Sequence, residues 1–324
     1  MDVMTNKICL ILPYFGKLPD MFPFFYQSCI DNSKIDFLIF TNEYNKVFFK
    51  KEENHIRVVY IDWNDFQQII QSKFDFKVSL ESPYKLCDYK PAYGYIFQEY
   101  LSGYEYWGHC DCDLIWGNLN MLNKLNNRGG GYERIGEYGH LILYKNTEEV
   151  NTWFKTLKAE GVPSYQTVYS SGRNFSFDEF AGMNILVKAN HKKVYTDRFF
   201  DDIIFYKRNF WSRRLINGKD TKWNPCFFLY ENGVLKRSVW RNNKWLIDES
   251  LYVHFQKREL KIETADIKHF IVIPDRIIPR GLYSDEELKK RCSAPLWDKR
   301  YWMMWLKMYT KKIYEKFNPC YLHV

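Results

Sequence analysis

Short apolar runs, each closed by polar or turn-forming residues, dominate the first 115 positions. Lys7–Pro13 (KICLILP), Asp36–Thr41 (DFLIFT), His55–Asp62 (HIRVVYID) and Tyr104–Cys110 (YEYWGHC) are the four clearest. Runs of this length and composition predict strands buried on both faces, as in a parallel sheet. The stretches between them read as helical: 21–32, part of 66–80, and Pro91–Tyr100 with Pro91 in the first turn, where its missing N–H costs nothing. Strands alternating with helices predict an α/β domain with a mostly parallel, Rossmann-like sheet. Ligands of such sheets bind beyond the carboxyl ends of the strands. That singles out Pro13-Tyr14-Phe15-Gly16 and Asp111-Cys112-Asp113 as parts of one crevice.

Past residue 120 the periodicity loosens. Gly139–Tyr144 reads as a strand, Glu148–Lys158 as a helix and Ser170–Asn174 as a polar loop, with Phe177–Leu186 a second helix candidate. Residues 223–256 contain alternating aromatic strands (CFFLY, SVW, LYVHF), with Glu231-Asn232-Gly233 as the expected hairpin turn. The triple glycine 129–131 fits neither Gly-rich phosphate-loop pattern, and no strand feeds into it.

Composition narrows the class. With 19% aromatic residues, 16 Gly and 11 Pro in 324 residues, the chain is neither disordered nor collagen-like. No apolar run approaches the ~20 residues of a membrane-spanning helix. The first seven residues lack a signal-peptide pattern, so the expectation is a cytoplasmic protein. Eight cysteines without a C-x-x-C pair give no zinc-ribbon or thioredoxin pattern and fit a reducing compartment. The net charge of +8 is unevenly placed: residues 288–324 hold nine Lys/Arg and two acids, +7, leaving +1 for the other 287. A uniformly basic nucleic-acid-binding surface is therefore not expected.

The principal chemical candidate is Asp111-Cys112-Asp113, where the fourth strand ends. Two carboxylates at i and i+2 supply hard oxygens for Mg²⁺ or Mn²⁺. A chain with this many aspartates contains about one D-x-D triplet by chance, and a solvated, helix-capping turn is the other reading of it. Upstream, Tyr84–Pro91 (YKLCDYKP) brackets Asp88 with Lys85 and Lys90. Such a cluster can read a nucleotide, with Asp88 accepting from base or ribose and a lysine meeting phosphate, or it is an ordinary charged loop.

Residues 83–119 (PYKLCDYKPAYGYIFQEYLSGYEYWGHCDCDLIWGNL) resemble the core of a family of bacterial glycosyltransferase-like proteins with a GT-A fold, typical of capsule and O-antigen polysaccharide biosynthesis. The K-L-C-D-Y-K-P block, the Y-x-Y-W-G-H strand and the D-x-D turn carry the resemblance. KICLILPYFGKLP, Gly139-His140-Leu141, Phe177–Gly182 and His254–Arg258 extend it over roughly residues 7–260. The resemblance implies a sugar transferase with a nucleotide-sugar donor and a divalent cation. Asp113 would be a metal ligand, and Asp111 would reach metal through water, or ribose. Pro13 and Tyr14 would line the base pocket, with Asp88 and Lys90 near the nucleotide. His254 would close the metal site, beside Lys257 and Arg258 on the diphosphate. Asp178 or Glu179 would be the general base of an inverting enzyme, although acids at a helix start are also explained by the helix dipole. His109 and His140 read as structural residues or as supports behind the metal ligands.

The sequence thus predicts a GT-A-like domain over 1–287, with a nucleotide-binding half (1–120) and an acceptor half (121–287). A basic aromatic helical tail, 288–324, follows. Trp302, Leu306, Tyr309 and Ile313 share one helical face of this tail, opposite Arg300, Lys307 and Lys311. That face suits either an anionic membrane surface, reached peripherally, or packing on the domain. The expected reaction moves a sugar from a UDP-sugar, with Mn²⁺ or Mg²⁺, onto a growing capsular or O-antigen glycan, free or lipid-linked. UDP-galactose, pyranose or furanose, is one such donor, and no residue selects it. The rival readings are a glycan-binding protein without catalysis and a metal-dependent nucleotidyltransferase or phosphohydrolase.

Overall fold

The computed structural model describes residues 8–44, 49, 53–125, 131–204, 209–222, 224–256 and 258–293, with positions 302, 303, 305–307, 309, 310 and 313. They fall into two compact units. Unit 1 comprises the described residues of Met1–Leu18, Asn32–Cys112 and Leu119–Asp197; unit 2 comprises those of Pro19–Asp31, Asp113–Asn118 and Arg198–Val324.

Unit 1 is built on a seven-stranded mixed sheet. Its strands are β1 (Ile8–Tyr14), β2 (Asp36–Thr41), β3 (Ile56–Tyr60), β4 (Tyr106–Cys110), β6 (Arg134–Tyr138), β7 (Leu141–Lys145) and β8 (Val194–Tyr195), in the order β3-β2-β1-β4-β7-β6-β8. β1, β2, β3 and β4 are mutually parallel, and β6 pairs in parallel with β8; β7 runs antiparallel to both β4 and β6. The α/β class and mostly parallel sheet expected from the sequence are present. The first strand lies between the second and the fourth, so the chain moves outward on one side of β1 and returns on the other. The carboxyl ends of β1 and β4 therefore form a topological switch point, the place where ligands of open α/β sheets bind. β1 is buried along Ile8–Leu12 because both sheet faces are covered, which is why the run is continuously apolar rather than alternating. On one face, Ile11, Phe40, Phe66 and Ile70 of β1, β2 and helix α2 (Trp63–Gln71) join Trp107 and Tyr144 in the core.

Three predicted helices are subdivided. Pro91–Tyr100 is not one helix: residues 83–100 form a succession of short turns, including α3 (Leu86–Tyr89) and α4 (Tyr93–Ile96). Pro83 and Pro91 each remove a backbone donor, and turns of three or four residues bury Lys85, Asp88 and Lys90 where a longer helix would spread them around its circumference. Glu148–Lys158 divides at Thr152 into α6 (Glu148–Asn151) and α7 (Trp153–Thr156). Phe177–Leu186 begins as a non-helical turn, and helix α9 starts only at Met183 (Met183–Ala189). Asp178 and Glu179 therefore precede the helix instead of occupying its first turn.

Unit 2 begins with α1 (Phe22–Ile30), a helix buried almost all round, whose Phe24 meets Phe270 edge-on at 4.8 Å. A six-stranded sheet contains β10 (Cys226–Glu231), β11 (Val234–Arg241), β12 (Lys244–Glu249), β14 (Lys261–Ile262), β15 (His269–Ile273) and β16 (Arg276–Pro279). The predicted turn at Glu231-Asn232-Gly233 joins β10 to β11, with φ of +45° and +85° at Asn232 and Gly233. Asn242 and Asn243, at +52° and +57°, repeat the device between β11 and β12. Two successive positive φ values match the twist of a two-residue hairpin, and Asn and Gly tolerate them. A second sheet places β13 (Tyr252–His254) between β5 (Leu114–Trp116) and β9 (Asp201–Asp202).

Helix α10 (Asp285–Cys292) is capped by Ser284, whose hydroxyl accepts from Glu287 N, and buries Leu288 and Cys292 against Phe227, Ile271 and Ile278. Beyond it, Trp302, Leu306, Tyr309 and Ile313 are helical and exposed; Arg300 and Lys311 lie outside the described residues. Among the described residues, no helix is long and apolar enough to cross a membrane.

Candidate active site

Asp111 follows β4 in unit 1, and Asp113 leads into β5 in unit 2. Each carboxylate has its own surroundings.

In unit 1, the antiparallel pairing of β4 with β7 sets Cys110 opposite Leu141, and Asp111 N donates to His140 O at 3.1 Å. The 138–140 turn is thereby fixed beside Asp111. Lys90 is buried and its Nζ bridges three groups: Asp111 Oδ1 at 2.7 Å, Gly139 O at 2.8 Å and Asp178 Oδ2 at 3.7 Å. Burial would pull the Lys90 ammonium down, but Asp111 and Asp178 outweigh it and hold it well above the ordinary lysine range. Asp178 is itself buried, and burial pushes its carboxyl up to about 7 against the pull of Lys90. The adjacent Glu179 accepts from Gly139 N, and a Cβ on Gly139 would overlap the carboxylates of both Asp178 and Glu179. Glycine is required there by close approach. The structure thus brings together Lys90, Asp111, Asp178 and Glu179. Pro13 and Tyr14 end β1 at the same sheet edge, with the Tyr14 hydroxyl donating to Lys17 O.

Asp88 has a different position from the one expected beside a nucleotide. It is fully buried, and its carboxylate accepts from Lys85 Nζ at 2.7 Å, from Phe175 N at 3.0 Å and from Phe177 N at 3.0 Å. Asp88 therefore anchors the 173–177 segment that delivers Asp178.

In unit 2, sheet register sets the geometry. β5 and β13 are antiparallel with Leu114 opposite His254, and Phe255 N donates to Asp113 O at 2.9 Å. His254 Nε2 consequently lies 3.3 Å from Asp113 Oδ1. β9 pairs in parallel with β13, His254 opposite Asp202, and His254 Nδ1 meets Asp202 Oδ1 at 3.1 Å. Because side chains alternate along a strand, the neighbouring aspartates serve opposite faces. Asp202 turns to His254, Gln256 and Arg213. Asp201 turns inward to Arg237 (2.8 Å) and Arg214 (2.8 Å). Burial raises the Asp201 carboxyl, but the two guanidinium groups prevail and keep it below the usual range.

A carboxylate on one imidazole nitrogen fixes the ring and directs the other nitrogen at its target, the arrangement common around metal-binding histidines. The donors here, carboxylate oxygen and imidazole nitrogen, suit Mn²⁺ or Mg²⁺ in type. Asp202 and Asp201 escaped the sequence reading. Their signal was a pair of acids set between Phe199-Phe200 and Ile203-Ile204, where exposed acids are not expected. Arg258 differs from its expected place on a diphosphate: it is buried and donates to Pro274 O at 3.0 Å and Ile204 O at 3.2 Å. Lys257 lies outside the described residues. His109 is fully buried, and burial, with Lys90 and Arg134 nearby, holds it well below the ordinary histidine range, consistent with a core residue.

No curated protein sequence matches the chain. Among solved structures, the chain is similar to a Desulfovibrio desulfuricans protein described as a putative nucleotide-diphospho-sugar transferase, at 10% identity and a TM-score of 0.31 over 60% of this chain and 80% of that one. It is also similar to the galactosyltransferase LgtC, in complex with donor and acceptor sugar analogues, at 8% identity and a TM-score of 0.35 over 60% and 75%. Mouse xyloside xylosyltransferase 1 aligns at 7% identity and a TM-score of 0.36 over 62% and 88%. At the level of sequence families, residues 10–281 match DUF6625, described as a family of unknown function, and the chain belongs to that family.

Proposed function

We propose that the chain is a metal-dependent glycosyltransferase that moves a hexose from a UDP-sugar to a glycan. The observation that carries this reading is the Asp202–His254–Asp113 series, which orients an imidazole toward the second carboxylate of a D-x-D turn at a sheet switch point. Asp113 and His254 would hold Mn²⁺ or Mg²⁺. When bound, the cation would neutralise charge developing on the nucleoside diphosphate as it leaves. Pro13 and Tyr14 would line the base pocket. Lys90 supplies positive charge beside Asp111 and holds the 138–140 turn.

Asp178 is the stronger base candidate. A carboxyl with a pKa near 7 takes a proton from an acceptor hydroxyl more effectively at neutral pH than one of ordinary acidity. Glu179 would orient the same hydroxyl. The sequence resemblance favours a growing capsular or O-antigen glycan as acceptor. The exposed aromatic face at Trp302, Leu306, Tyr309 and Ile313, with the tail's charge of +7, favours a peripheral seat on an anionic membrane carrying a lipid-linked acceptor.

A thermal-shift screen of nucleotides and nucleotide sugars tests the reading. UDP should raise the melting temperature only with Mn²⁺ or Mg²⁺ present, and Asp113→Ala should abolish that coupling. Stabilisation by oligosaccharide with indifference to every nucleotide would replace the transferase by a glycan-binding protein. Nucleotide consumption without an acceptor-dependent product would replace it by a phosphohydrolase.

A further inference from the structure

Phe180 directly follows the two candidate base residues and is 57% exposed. Single exposed apolar side chains are ordinary on protein surfaces. The mounting of this one is not. Its ring meets Tyr138 edge-on, at 5.7 Å and 79°, and Tyr138 lies nearly flat on the buried His140, at 5.6 Å and 15°. The two turns that carry these rings are tied together at Gly139, which donates its N–H to Glu179 and receives Lys90 on its carbonyl. Phe180 thus packs on a ring whose own turn is tied to Glu179.

The exposed ring and the half-buried Glu179 carboxylate, with the buried Asp178 next to it in the chain, make a two-part surface. A pyranose has the matching pair: a face of C–H bonds that packs on an aromatic ring, and an edge of hydroxyls that donate to carboxylate oxygens. We infer that Phe180, backed by Tyr138, is the platform for the acceptor's sugar ring and turns one of its hydroxyls toward Asp178 and Glu179. The inference rests on the transferase reading for the word acceptor, but the sugar contact itself can be measured without turnover.

Saturation-transfer difference NMR on the full chain, with methyl β-D-galactopyranoside, methyl α-D-mannopyranoside and N-acetylglucosamine as probes, provides the test. The wild type should saturate the ring C–H protons of at least one probe. Phe180→Ala should weaken that signal by about two- to ten-fold, the range a single aromatic contact supplies, and Phe180→Trp should preserve it. Because the side chain is exposed, both variants should melt with the wild type, which controls for folding. The platform is refuted if Phe180→Ala saturates the probes as the wild type does, or if the wild type saturates none. A role for Phe180 in docking a protein or lipid would give the first of these outcomes. The metal-dependent UDP shift reads the donor side separately. Its absence alongside a Phe180-dependent sugar signal would remove the transferase and leave the platform standing.

Discussion

Asp88→Ala separates a structural from a ligand-binding role for the Y-K-L-C-D-Y-K-P block. The Lys85 and Asp88 side chains are 2% and 0% exposed and lie 2.7 Å apart. Lys85 Nζ also donates to Val168 O at 2.9 Å and to Arg173 O. Removing Asp88 leaves this ammonium buried without a countercharge and strips the acceptor from Phe175 N and Phe177 N. Breaking one partner of a buried ion pair costs about 3–5 kcal/mol. The lost backbone bonds belong to the same network, so their cost overlaps with this figure instead of adding to it. At roughly 2–4 °C per kcal/mol, the melting temperature should fall by about 6–20 °C. Replacing both partners, Lys85→Met with Asp88→Leu, removes the orphaned charge and should recover part of the loss. Differential scanning fluorimetry on the wild type, Asp88→Ala, Lys85→Met, Asp88→Leu and the double variant measures the coupling. An Asp88→Ala protein that melts with the wild type yet no longer responds to UDP would overturn the structural assignment and restore the nucleotide role.

Other outcomes follow from the carboxylate clusters of unit 1 and of unit 2. Asp202→Asn should weaken the Mn²⁺ dependence of the UDP shift by about 10–100-fold in metal concentration, since Asp202 acts by orienting His254; an unchanged metal titration would count against it. Asp178 has a folded pKa of about 7, above the 3.8 of its unfolded form. The folded chain thus binds the extra proton between these values, and this contribution to stability is lost as pH rises from about 4 through 7. Melting curves of Asp178→Asn across that window should gain on the wild type toward pH 8, and transfer activity in the wild type should rise through pH 7. Gly139→Ala should disturb both carboxylates at once and depress turnover more than melting temperature. Deleting 294–324 should reduce sedimentation with anionic liposomes; cutting at 288 should also lower the melting temperature, because Leu288 and Cys292 are buried.

Local sequence determined much of this protein. Burial on both faces demands continuous apolar runs, so β1, β2, β3 and β4 were legible as strands. An Asn-Gly dipeptide supplies positive φ cheaply, so the β10–β11 turn was legible too. The acids that close β4 were legible because a strand end is where polar residues return. What required tertiary structure was the direction each polar side chain takes. Asp88 and Arg258 carry the same chemistry as ligand-binding residues, and only packing shows them turned inward onto backbone groups. Lys90 could be placed near a ligand from its neighbours, but its bridge from Asp111 to Asp178 joins positions far apart in the chain. Asp201 and Asp202 are indistinguishable as letters, and the pleat of a two-residue strand gives one to Arg237 and the other to His254. Periodicity records which face is buried, whereas a site depends on which distant partners the fold then brings within hydrogen-bond reach.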